Sequence, residues 1–100
     1  MYDANLADVY QPIYERIRNA VAEAVADPEE LDSGDLTADG SPIWNYADRT
    51  VLLEPLSGDR VRIRNGLNPR KSEHVDMPIE PIGPVVRRIV ESLGATPNYD

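Results

Sequence analysis

The chain has no cysteine, no phenylalanine, one histidine and one lysine. Without Cys there is no disulfide, no thiolate nucleophile and no Cys-ligated zinc or iron–sulfur centre. A single His excludes a multi-histidine metal site within one copy. Aromatic residues make up only 6% against 41% hydrophobic residues overall, so the core has to be aliphatic, built from Val, Ile and Leu. No apolar run approaches the roughly 20 residues that span a bilayer, and no membrane partner is expected. The N-terminus lacks a basic segment followed by an apolar stretch, so no secretory signal peptide is expected either.

What is present is charge of one sign. Eighteen acidic side chains stand against ten basic ones, a net charge of −8 over 100 residues, a length suited to one small domain. Ten of the acids are Asp, and nine of the bases are Arg, with Lys71 the exception. Such a balance argues against broad nucleic-acid binding, which needs a basic face to displace counterions. An Asp-rich, Lys-poor composition resembles that of proteins from salt-adapted archaea and their viruses, where molar salt screens self-repulsion.

The apolar spacing predicts an α+β fold. Leu6, Tyr10, Ile13, Ile17, Val21 and Ala24 recur at steps of three and four, a helical stripe. Pro12 either kinks one long helix or serves as its first residue; the second reading is favoured, with the helix over about 12–26 and residues 1–11 as a partly helical N-terminal arm. Asp27-Pro28-Glu29-Glu30 reads as one further short turn. Residues 32–42 are acidic and Gly-containing and read as a surface loop, after which Ile43, Trp44 and Tyr46 return apolar mass in a short strand.

Residues 50–64 predict a β-hairpin. A three-residue loop, Leu56-Ser57-Gly58 with Gly58 left-handed, sets Leu53 opposite Val61, Val51 opposite Ile63 and Glu54 opposite Arg60. One face is then apolar and the other carries cross-strand ion pairs. Residues 65–81 form a Pro/Gly-rich extended segment, and Pro78 and Pro81 restrict any strand there to an edge. Ile82, Val85, Val86, Ile89, Val90 and Leu93 mark a C-terminal helix over about 82–93, closed by Gly94. Residues 95–100 are expected to form a flexible tail.

Candidate sites are few. Asp35-x-Thr37-x-Asp39-Gly40 is similar to the first half of an EF-hand loop, and Asp35, Thr37 and Asp39 are the residues that would meet a cation. Thr stands at the third position and Tyr46 where the bidentate Glu belongs, so the segment reads as a solvated acidic loop and no metal or other cofactor is expected. Ser72, His74 and Asp76 lie too close in sequence to converge as a triad, and nothing beside them supplies an oxyanion hole, so no catalytic residue is assigned and no enzyme is expected. Arg60, Arg62 and Arg64 alternate along one strand and share one face. They form the single cationic stripe of an acidic chain, suited either to internal neutralisation or to an acidic partner surface. Tyr2, Tyr10, Trp44 and Tyr46 all carry a polar handle, as aromatics at half-buried interfaces do.

In length and element order the whole chain resembles small structural proteins of tailed viruses, the head–tail connector, stopper and tail-terminator type. The resemblance implies a non-enzymatic virion or cytoplasmic assembly protein that forms a ring or other homo-oligomer and contacts further structural proteins. The other reading is a small protein-binding or transcription-linked signalling module of a halophilic cell, with the helix over 82–93 as its contact element.

Overall fold

The computed structural model describes residues 6–37, 40–56, 59–66 and 73–98, with side chains from residue 11 onward. Helix α1 (Leu6–Ala24) leads into a 3-10 turn at Pro28–Glu30. Five strands follow: β1 (Leu31–Leu36), β2 (Pro42–Tyr46), β3 (Arg49–Leu56), β4 (Arg60–Asn65) and β5 (His74–Pro78). Helix α2 (Ile82–Leu93) completes the α+β fold. The strands pair antiparallel in chain order, so β1 and β5 are the edges of one sheet.

Both helices lie on one face of that sheet. Trp44, Val51, Leu53, Val61 and Ile63 point into the layer between sheet and helices. There they meet Tyr14, Ile17 and Val21 of α1, Val25 just beyond its end, and Val85, Val86, Ile89, Val90 and Leu93 of α2. The core is aliphatic apart from Trp44 and Tyr14. Gly94 ends α2 in the left-handed conformation, φ 68°, and its N–H reaches the carbonyls of Val90 and Glu91.

Several sequence expectations are corrected. Helix α1 begins at Leu6 and runs through Pro12, so residues 6–11 belong to the helix. Proline's fixed φ is helical, but at this interior position it gives up its N–H bond and its ring crowds the carbonyl four residues back, a local cost that the rest of the helix outweighs. The stretch read as a loop over 32–42 contains β1 and the start of β2; β1 is irregular between Asp32 and Asp35. Its acidic, Gly-containing sequence hides a strand because an edge needs no apolar alternation. The segment read as a flexible tail is tied down at 95–98. Ala95 is buried, Val25 and Pro97 form a β-bridge, and the Asn98 N–H donates to the Ala24 carbonyl.

The hairpin keeps its faces but slides by two residues. Leu53 stands opposite Ile63, Val51 opposite Asn65 and Glu54 opposite Arg62. The connection is 57–59 rather than 56–58, and Asp59, its one described residue, is left-handed, φ 58°; Gly58 lies outside the described residues. A shift of two preserves which side chains face the core, and it adds the Leu56–Arg60 pair at the hairpin's end. Asp tolerates the left-handed region better than most residues.

Candidate protein-contact surface

The side of the sheet turned away from the helices is not covered by any element among the described residues. Alternation from the paired strands assigns its rows. Ile43 stands opposite Leu52, and Leu52 opposite Arg64; Glu54 stands opposite Arg62, and Arg62 opposite Asp76. Arg60, Arg62 and Arg64 do share this face, as their alternation requires.

Two of the three arginines are neutralised within the sheet. Arg62 makes a two-pronged ion pair with Asp76, Nε to Oδ1 at 2.8 Å and Nη2 to Oδ2 at 3.1 Å. This bond holds the Asp76 carboxyl below its usual range and raises the Arg62 guanidinium above its own. The Arg64 Nε donates to Glu54 Oε1 at 2.8 Å, and Arg64 is 7% exposed although no helix covers it. Its aliphatic stem lies beside Leu52, its cross-strand partner, which is also buried. Arg60 is exposed, and no ion pair joins it to another described residue.

Toward the other edge the same face is acidic. The Asn45 Nδ2 donates to Asp35 Oδ2 at 3.2 Å, and the Thr50 hydroxyl donates to Asn45 Oδ1 at 2.7 Å. Asp32 pairs with Asn45 across the strands and is exposed. The uncovered face therefore runs from Asp32 and Asp35 on β1 to Arg60 on β4, with a self-satisfied polar lattice between. Ile43, Asn45, Thr50 and Leu52 are members of this face that the sequence reading did not assign. Their signal was the alternation within Thr50-x-Leu52-x-Glu54, which is half of the hairpin pattern.

The aromatic candidates are dispersed. Trp44 is fully buried between sheet and helices, so it is a core residue and not a contact residue. It is the largest side chain in a chain without Phe, and burial of that area in the core outweighs its polar handle. Tyr46 packs against the core, and its hydroxyl donates to Asp27 Oδ2 at 2.7 Å, which raises the phenol's pKa. Tyr14, not chosen from the sequence, is the one buried tyrosine among the residues whose side chains are described. Tyr2 lies outside the described residues, and Tyr10 lies on α1.

Two of the three residues considered for a cation make other contacts. Asp35 accepts from Asn45, and Thr37 Oγ1 accepts the Ser41 N–H at 3.0 Å; Asp39 lies outside the described residues. Among the described residues, no three His, Asp or Glu side chains converge on a metal position. His74 is exposed on β5 opposite Arg64. No helix among the described residues is long and apolar enough to cross a membrane. Comparison with protein-family models, with curated proteins and with solved structures found no match to this chain.

Proposed function

We propose that the protein is a non-enzymatic assembly protein that acts through protein–protein contacts, first with further copies of itself. The observation that carries this reading is the sheet face left bare by the helices, acidic at β1 and ending in the exposed Arg60 at β4. A face with opposite charge at its two ends favours head-to-tail contact, in which one copy's Arg60 meets another's Asp32 and Asp35. Leu36 is the one large hydrophobic side chain that stands exposed among the described residues. The contact is therefore polar rather than greasy, and it weakens as salt screens it. Strand-rich element order with flanking helices supports a place in a virion head–tail or tail complex.

Arg60→Glu is the test, because Arg62 and Arg64 hold the sheet's own carboxylates and cannot be reversed without strain. Sedimentation of wild type and variant over a range of protein concentrations reads assembly, with circular dichroism as the folding control. The variant should shift to smaller species while staying folded. An unchanged mass distribution, or a wild type that is monomeric at every concentration, refutes self-assembly through this face.

A further inference from the structure

The helix-facing rows of β3 and β4 are apolar except at one end, where Arg49 and Asn65 replace aliphatic residues. These two side chains, together with Ser92 of α2, line two adjoining clefts of about 350 Å³ and about 290 Å³. Arg88 of α2 lines the smaller one. Three polar atoms here are buried without any hydrogen-bond partner: Asn65 Oδ1, Arg88 Nε and Ser92 Oγ. Ser92 itself is only 8% exposed. A buried donor or acceptor without a partner is costly, and three in one place call for a ligand that answers them.

Their chemistry specifies that ligand. Arg88 Nε–H is a donor, Ser92 O–H donates or accepts, and Asn65 Oδ1 accepts. Arg49 brings a second guanidinium and lies over the end of α2. A Cβ at Gly94 would come 3.4 Å from Arg49 Nε, so the glycine leaves room for that side chain. Asp48 lines the larger cleft and Glu91 the smaller, and no ion pair joins either carboxylate to Arg49 or Arg88. The two arginines balance the two carboxylates in charge, but they leave guanidinium donors that no ion pair occupies. The flanking carboxylates disfavour a bare polyanion and favour a ligand with a donor of its own.

We propose that this cleft, between the start of β3, the end of β4 and the last turns of α2, binds an oxyanion that also carries a hydrogen-bond donor. Arg88, Ser92 and Arg49 take the anionic oxygens, and Asn65 accepts from the donor. The anion is a carboxylate next to an N–H, as at a peptide's C-terminus, or a protonated phosphate. The site lies on the helix side of the sheet and is independent of the Arg60 face.

The probes are inorganic phosphate, N-acetylglycine and acetate, titrated at constant ionic strength into the isotopically labelled full chain. The readouts are the Arg88 Nε–H and Asn65 side-chain amide resonances. Saturable shifts of both with phosphate identify a phosphate ligand. Saturable shifts with N-acetylglycine, tighter than with acetate, identify a carboxylate with its neighbouring N–H. Arg88→Gln and Ser92→Ala should each weaken binding about tenfold, which corresponds to ~1.4 kcal/mol. Ser92→Ala removes only a hydroxyl without a partner, so it keeps the fold, and Arg60→Glu should leave binding unchanged. Absence of saturable shifts with phosphate and with N-acetylglycine overturns the proposal, as do shifts undiminished in both cleft variants. Equal affinity for acetate and N-acetylglycine, with no response to phosphate, overturns the assignment of Asn65 as acceptor.

Discussion

Trp44 separates the core from the surface most sharply, and two substitutions there should behave in opposite ways. The residue is fully buried, and its indole Nε1–H has no partner. Trp44→Ala empties the layer between sheet and helices and should cost about 3–5 kcal/mol, as truncations of large buried aromatics do. Against a total stability of about 5–15 kcal/mol, that is a large share. Trp44→Phe removes roughly 40 Å³, which at about 24 cal/mol per Å³ of residual cavity costs about 1 kcal/mol. The same change deletes an N–H buried without a partner, and relief of that penalty returns about 1–3 kcal/mol. The two contributions oppose, so Trp44→Phe should lie within about 1 kcal/mol of wild type or be more stable. Urea unfolding followed by circular dichroism, in the same molar NaCl for all three proteins, reads both differences. A loss above about 2 kcal/mol in the Phe variant would mean that the indole N–H is satisfied or that the ring's shape matters more than its volume. A loss below about 1 kcal/mol in the Ala variant would falsify the placement of Trp44 in the core.

Two further outcomes concern charge. Thermal midpoints should rise from dilute to molar NaCl, because screening relieves the repulsion of a chain at net −8, while the exposed ion pair Arg16–Glu80 loses little. A flat or falling midpoint sinks the screening argument, and a parallel series in sulfate separates it from salt exclusion. The Asp76 carboxyl is held low by Arg62, so its stabilising contribution is complete above the unfolded carboxylate value near ~3.9 and disappears as pH falls through the lower folded value. The midpoint gap between wild type and Asp76→Asn should therefore close as pH is lowered from neutral to about 2, and a constant gap across that range would refute the pairing.

The parts of the fold that were legible in the sequence are those where apolar spacing has one solution. Ile82 to Leu93 carries a stripe at steps of three and four and stops at Gly94, and α2 has those bounds. The faces of β3 and β4 follow from alternation, which is why a register wrong by two still put every side chain on its proper side. Strand β1 was not legible because its sequence, Leu-Asp-Ser-Gly-Asp-Leu, has no alternation to read. Its identity comes from β2, which supplies the pairing partner. On α1 the sequence stripe and the buried set share Ile17 and Val21, and Ile13 and Ala24 of the stripe are partly buried against the core. Tyr14 joins the buried set outside the stripe, because helical spacing allows neighbouring positions and only the packing partner decides between them.

The uncovered sheet face was half legible. Alternation placed Arg60, Arg62 and Arg64 together, but sequence alone cannot say which arginines find carboxylates at home. Asp76 lies 14 residues from Arg62 and Glu54 ten from Arg64, and the folding of three strands brings them together. That outcome changes the meaning of the stripe. Arg62 and Arg64 tie β4 to its neighbours on either side, and only Arg60 is left to carry charge outward. Reversing Arg64, 7% exposed and bonded to Glu54, would damage the sheet before it told anything about a partner.

The helix-side cleft was illegible for a more instructive reason. Asn65 reads as a turn residue beside Gly66, and Ser92 reads as a polar residue near a helix end. Each is unremarked in its own segment. Only the pairing of Val51 with Asn65 shows that the asparagine occupies a row that otherwise faces the core. A sheet stabilised by packing alone would place Val or Ile there and Ala at position 92, removing two unanswered polar atoms at a stroke. This chain obeys the apolar rule at Val51, Leu53, Val61 and Ile63 and breaks it at Asn65 and Arg49, at the same end of the sheet and beside Arg88 and Ser92. Breaches of a packing rule that are scattered cost stability and signify little. Breaches gathered around one cleft, with buried donors and an acceptor left without partners among its lining residues, are where a stability cost is retained for binding.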